Sequence, residues 1–184
     1  MRHMLDGVVP PILVIAAFLL ILAFRLLFVR KRGRPRHVLP DAVVMIVVMC
    51  VTVLLELGMG RTVAYRNGAV KLWNGDIQSD QNSQQISDPY TFSHIIHGAA
   101  FYGLTHFALG RASPGLRAAV ALTLEGAWEA YENTDTVINR YRGATIALGY
   151  YGDSVINSVA DMLACLLGFT LAKQFRWWFT LSWV

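Results

Sequence analysis

Aliphatic runs separated by polar connections set the pattern of this chain, and their spacing is helical. Residues 8–29 are nearly all apolar and open on Pro10-Pro11, where a helix tolerates proline. That run is long enough to cross about 30 Å of hydrocarbon. Its charges follow it rather than precede it, so it reads as a retained helix and not as a cleaved signal. Pro40 and Asp41 open a second run at 41–58, closed by Gly58 and Gly60. Residues 61–90, rich in Asn, Gln, Ser and Asp, predict an extramembrane loop with a short hairpin around 70–73, and Trp73 and Tyr90 suit a membrane interface. A third run at 91–109 ends in a tight turn at 110–116 containing Ser113-Pro114-Gly115. A fourth run covers 117–132, a second loop 133–152, and a fifth run 153–173. The tail, with Trp177, Trp178 and Trp183, is either an interfacial belt or the start of a sixth helix left incomplete. The pattern predicts an all-α, polytopic transmembrane helical bundle of about five spans (8–29, 41–58, 91–109, 117–132 and 153–173), forming a single integral membrane domain over 1–184.

Composition strengthens that reading. Apolar residues make up 55% of the chain and charged residues 15%, against about 45–50% apolar in an ordinary soluble domain. Most of the net charge of +4 comes from Arg30, Lys31, Arg32, Arg34 and Arg36, directly after the first run. Basic residues beside a span mark topology, and nucleic acid is not an expected partner. Arg111, Arg117, Lys173 and Arg176 fall on the same predicted side. The opposite side carries Arg61, Arg66, Lys71, Arg140 and Arg142, a modest bias that puts the N-terminus outside and the C-terminus in the cytoplasm. Arg25 lies near the basic end and can snorkel. Cys50 and Cys165 sit inside apolar runs as small hydrophobes, with no disulfide or zinc-knuckle spacing.

Ionisable groups within the apolar runs change the picture from a membrane protein to one with a site, because such groups are costly in lipid. His94 and His97 lie on the third run, Glu125, Glu129 and Glu132 on the fourth, and Asp153, Asn157 and Asp161 on the fifth. Counted from the outer ends of their spans, His97, Glu125 and Asp161 lie about 9–12 Å deep, and His94, Glu129 and Asn157 about 4–6 Å deep. Each set keeps to one helix face, within about 60–80°. Three polar stripes can therefore face one cleft open to the outer side. Imidazoles and carboxylates gathered there suit a divalent metal such as zinc, with His94, His97, Glu129, Asp153, Asn157 and Asp161 as candidate ligands. His97, Glu125, Glu129 and Asp161 are the candidate catalytic groups, whether around metal-activated water or as a metal-free acid–base set. Arg140, Arg142 and Tyr151, in the loop at the cleft mouth, are candidates for holding a lipid phosphate or another anion. The competing structural reading makes these groups packing glue between helices, worth about 0.6 kcal/mol each; for a set that converges, function is the stronger expectation. His106, at the other end of its helix, reads as structural, Glu56 as a rim or solvated group, and Gly98, Gly103 and Gly126 as close-packing positions. Phosphate-loop, dinucleotide, nucleophile-elbow and zincin patterns are absent from the sequence.

Four segments carry a resemblance: Ser93-His94-Ile95-Ile96-His97-Gly98; Glu125-x-x-Trp128-Glu129-x-x-Glu132-Asn133-Thr134; Arg140-Tyr141-Arg142; and Tyr150-Tyr151-Gly152-Asp153-Ser154 with Asn157-Ser158 and Asp161. Over about 59–172 the chain resembles the bacterial membrane family called domain of unknown function 2585. The resemblance implies a multi-pass inner-membrane location and a shared polar core, and it supplies no reaction. Cysteines that members often carry between Met59-Gly60-Arg61 and Val70-Lys71-Leu72-Trp73 are absent here, and members continue beyond this chain's last residue, which implies a further helix. More distantly, the His-, Glu- and Asp/Asn-bearing helices are similar to those of VanZ-like membrane proteins. Two functions are thus expected: metal-assisted hydrolysis or transfer on a lipid-linked or envelope substrate, or non-enzymatic binding of a lipid, ion or partner. The sequence does not fix an oligomeric state.

Overall fold

The computed structural model describes residues 9–20, 23, 38–144 and 149–175, and these form six helices with no strand. They are α1 (Val9–Leu20), α2 (Val38–Gly58), α3 (Thr91–Ala108), α4 (Pro114–Glu132), α5 (Asp135–Ala144) and α6 (Val155–Gln174). The basic cluster at 30–36, the end of the first predicted span and the Trp-rich tail lie outside the described residues.

The helix starts follow from capping. Ser113 accepts the Leu116 N–H at 3.1 Å, and proline occupies the first turn, so α4 begins at Pro114, ahead of the predicted 117. Ser154 accepts the Asn157 N–H at 3.3 Å and starts α6 at Val155, which leaves Asp153 outside the helix. The predicted loop at 133–152 is corrected, because α5 occupies Asp135–Ala144. It is a surface helix with Asp135 in its first turn and Arg142 in its last, matching the helix dipole, and it anchors through Ile138 packed on Tyr150 and Tyr141. The hairpin at 70–73 has no strand either. Lys71 and Ser87 carbonyls accept the Ile86 and Asn74 amides at 3.1 and 3.0 Å, so the segment folds back on itself without a ladder.

Helix α4 is central, touching α2, α3 and α6. The apolar core lies between α1, α2, α4 and α6, around Val14, Phe18, Val44, Val48, Leu122 and Met162. Helices α3 and α6 meet through glycines. A Cβ on Gly98 would lie 1.9 Å from the Cys165 carbonyl oxygen, and one on Gly168 would lie 1.9 Å from that of Ile95. Gly126 serves α2 and α4 similarly, its Cβ position lying 2.6 Å from Thr52 Oγ1, whereas Gly103 has open space and no packing role.

By length and composition, two of the described helices can cross a membrane, Asp41–Gly58 and Val155–Gln174. Helix α3 is diluted by three histidines and α4 by Arg117 and three glutamates. Beside its apolar core the bundle also buries ionisable groups, and it turns large apolar side chains outward. Glu56, Glu125, Glu129, Asn157 and Asp161 are buried in it, while Leu54, Phe92, Leu104, Phe107 and Leu163 face out, with Phe107 89% exposed.

Candidate functional site

The close α3–α6 contact and the central α4 bring His94, His97, Glu125, Glu129 and Asp161 to one end of the bundle. His94, 5% exposed, is the hub. Its Nδ1 lies 2.5 Å from Glu125 Oε1 and 3.3 Å from Glu129 Oε1, and its Nε2 lies 3.7 Å from Asp161 Oδ2. His97 Nδ1 approaches Glu125 Oε2 at 3.2 Å, and the two imidazoles meet edge to face. The expected depth layers are mixed, since His94 pairs most closely with Glu125 of the deeper set. Glu129 Oε1 faces His94 outside hydrogen-bond geometry and is buried without a donor. A carboxyl oxygen in that position lacks the partner burial demands.

Two sets of three donors are within reach of a cation: His94, His97 and Glu125, and His94, Glu129 and Asp161, each with its donor atoms within 4.8 Å of one another. A tetrahedral zinc with bonds of about 2.0–2.1 Å needs donors about 3.3 Å apart. The His97–Glu125 and His94–Glu129 separations, 3.2 and 3.3 Å, match that edge, and the His94–Glu125 contact at 2.5 Å must open to admit an ion. A cation on His94 Nδ1 would leave Nε2–H facing Asp161, an arrangement that orients a ligating imidazole.

The remaining predicted residues are placed differently. Asp153 and Asn157 line the adjoining cavity but direct their polar atoms elsewhere. Asp153 accepts from Asn133 Nδ2 at 3.0 Å and Tyr150 OH at 2.9 Å, and its N–H donates to Asn133 Oδ1 at 2.7 Å. Asn157 Nδ2 donates to the Gln85 carbonyl at 3.0 Å. Arg140 and Arg142 are exposed on α5, and Tyr151 is outside the cavity lining, its carbonyl accepting from Arg61 Nη1 at 2.8 Å. Glu56 is corrected from a rim group: it is 0% exposed, buried beside Ser158, Asp153 and Arg61.

Several partners were not singled out from the sequence. Thr91 Oγ1 donates to Asp161 Oδ1 at 2.9 Å. Asn133 and Tyr150 fix Asp153, and both lie in the segments that carry the family resemblance, which was the available signal. The polar connection 61–90 is no free loop, because residues 82–88 plug the start of α6. Ser83 O accepts the Ser154 N–H at 2.9 Å, and Gln84 Nε2 donates to the Gly152 carbonyl at 2.6 Å. Ser83 adopts φ 56°, a left-handed conformation held by the Asp88 carboxylate on its N–H at 3.2 Å. Burial pushes the Asp88 carboxyl above the usual carboxylate range, against the pull of the Tyr90 and Ser83 amides. Burial and the nearby Asp153 push the Tyr150 phenol up. Between plug, α5 and cluster lies a cavity of about 40 Å³, whose lining includes Asn82, Tyr90, Tyr141, Tyr150, His94 and Asp161.

A family model described as "Protein of unknown function (DUF2585)" matches residues 56–184. The chain belongs to that family. The DUF2585 segment contains the whole cluster and its plug and excludes α1 and most of α2. The chain is 51% identical over 122 residues to a UPF0314 protein of Sphingopyxis alaskensis, covering 66% of this chain and 65% of that one. It is 48% identical over 131 residues to one from Paracoccus denitrificans (71% and 68% covered), and 50% over 127 residues to one from Sinorhizobium fredii (69% and 64%). The chain thus spans about two thirds of the length of these DUF2585-type relatives. No solved structure matches it.

Proposed function

We propose that this chain is a multi-pass inner-membrane protein whose buried His/Glu/Asp centre binds a divalent cation such as zinc and uses a bound water to hydrolyse or transfer a lipid-linked or envelope substrate presented at the outer face. The observation that carries this reading is the hub position of His94, shared by two overlapping three-donor sets of which one oxygen, Glu129 Oε1, has no donor. A cation supplies what that oxygen lacks and offsets the crowding of Glu125, Glu129 and Asp161 around one imidazole. His94, His97, Glu125, Glu129 and Asp161 are the ligands or acid–base groups, while Asp153 and Asn157 act through Asn133, Tyr150 and Gln85 as positioning residues.

Membrane insertion of all the long helices is supported by the large apolar side chains that α2, α3 and α6 turn outward while carboxyl groups are buried between the helices. The cluster shares its end of the bundle with 61–90 and α5, and the short turn bearing Arg111 lies at the other end. The positive-inside rule then favours a periplasmic cluster and N-terminus and a cytoplasmic C-terminus, in a single membrane domain.

The size of the cavity favours a second reading. About 40 Å³ admits an ion and a few waters, at about 10–15 Å³ each, but no lipid. In the catalytic reading only a substrate's scissile group enters, past Tyr90 and Tyr141, whose hydroxyls meet at 2.7 Å across the mouth. In the non-enzymatic reading the ion itself is the ligand. Lipid and envelope-precursor analysis of a deletion strain complemented with His97→Ala separates them. Accumulation of a precursor with the variant normally inserted supports catalysis, and wild-type complementation refutes it.

A further inference from the structure

The α3–α4 turn, at the opposite end of the bundle, borders a second, open cavity of about 350 Å³ whose lining includes Tyr102, His106, Arg111, Ser113 and Arg117. Counted along α3, it lies about 18 Å from His94. Arg117 is the unusual group. It is 7% exposed, yet its described partners are neutral: Nη1 donates to His106 Nδ1 at 3.0 Å, and the guanidinium lies 5.3 Å from the centre of the Tyr102 ring. Its Nε is buried without a hydrogen bond, and no ion pair to it exists among the described residues. A buried cation with no anion is an expensive arrangement unless a ligand supplies the anion.

The surroundings are prepared for that ligand. The bond from Arg117 uses His106 Nδ1 as its acceptor, which leaves Nε2–H as a donor. Arg111 adds a second guanidinium from the exposed turn. The N-terminus of α4 is not the attraction, since Ser113 already caps it and is itself bonded to the Asp41 carboxylate at 3.2 Å. Both arginines line the cavity, and a guanidinium is a planar donor fork suited to the oxygens of a phosphate group. The volume exceeds what a bare ion needs and suits a phosphate with part of what it is attached to.

We infer that this cavity is a phosphate-binding site, built by Arg117 and Arg111 with His106, for a free phosphate compound or the headgroup of an anionic lipid. It is independent of the cation centre. The full chain in detergent is titrated with inorganic phosphate against chloride at matched ionic strength, reading the thermal midpoint, and with phosphatidylglycerol against phosphatidylcholine by native mass spectrometry. A phosphate-specific rise identifies a free anion, and retention of phosphatidylglycerol alone identifies a headgroup; either supports the site. Arg111→Ala, on an exposed turn where folding is not at stake, weakens the effect about tenfold or more, as does Arg117→Gln, whereas His97→Ala leaves it unchanged. Binding of neither probe, or equal binding by wild type and Arg111→Ala, overturns the inference.

Discussion

The site exists only because α3 and α6 approach at backbone distance, so Gly98→Ala is the sharpest mechanical perturbation. The added Cβ would lie 1.9 Å from the Cys165 carbonyl oxygen and 2.7 Å from the Phe169 nitrogen, both main-chain atoms that no rotamer change can move. Reaching 3.0 Å, about the closest a Cβ tolerates, requires the helices to part by 1.1 Å. Transmitted along α3, that shift stretches the Thr91–Asp161 hydrogen bond from 2.9 Å to beyond bonding range and opens the 3.7 Å His94–Asp161 contact. Overpacking costs about 1–3 kcal/mol, and losing a charge-assisted hydrogen bond about 1.5–3 more. The helix preference of alanine over glycine returns about 1 kcal/mol. The net expectation is a loss of about 1.5–5 kcal/mol, a fall of about 3–20 °C in unfolding midpoint for a chain of this size. Thermal unfolding of the detergent-purified full chain reads it, with Gly103→Ala on the same helix as the control, since its Cβ meets nothing within 4 Å. A wild-type midpoint for Gly98→Ala, or an equal fall for Gly103→Ala, would refute the packing argument.

Asn133→Ala removes both sides of the Asn133–Asp153 pairing and leaves the buried Asp153 carboxyl leaning on the Tyr150 hydroxyl, so a loss of about 1–3 kcal/mol in chemical unfolding is expected. Glu56→Gln replaces a buried carboxyl beside Ser158 with a neutral group of the same shape, and an equal or higher thermal midpoint is expected; a fall would mean that the carboxyl itself is required there. His94→Ala, which touches both donor sets, is expected to abolish cation binding, while His97→Ala, in one set, weakens it about 10–100-fold in competition titrations; equal effects would contradict the shared-hub geometry.

The helices were legible because apolar runs of spanning length leave little choice of secondary structure, and the convergence of His94, Glu125, Glu129 and Asp161 followed from helical period and depth along three such runs. Helix α5 was hidden because its polar, ten-residue sequence reads as a loop until Ile138 finds Tyr150. The plug at 82–88 was equally hidden, since its hydrogen bonds join residues about 70 positions apart and no local pattern encodes them. Depth arithmetic separated His94 from Glu125 because it ignores side-chain reach, whereas His94 contacts both Glu125 and Glu129. Gly98 and Gly103 look alike in sequence, and only the path of α6 separates them. Glu56 lies two residues from a helix end, where solvent is the natural expectation, and it is covered by groups distant in sequence.

Whether the centre holds a cation is decided by elemental analysis of the full-length protein purified in detergent without chelator, then retitrated with zinc, manganese and iron. The account predicts about one divalent ion per chain, coordinated by nitrogen and oxygen and lost in His94→Ala while the variant still inserts and folds. A wild-type protein that retains no metal and takes up none of the three, or a His94→Ala variant that binds as well as wild type, would contradict it.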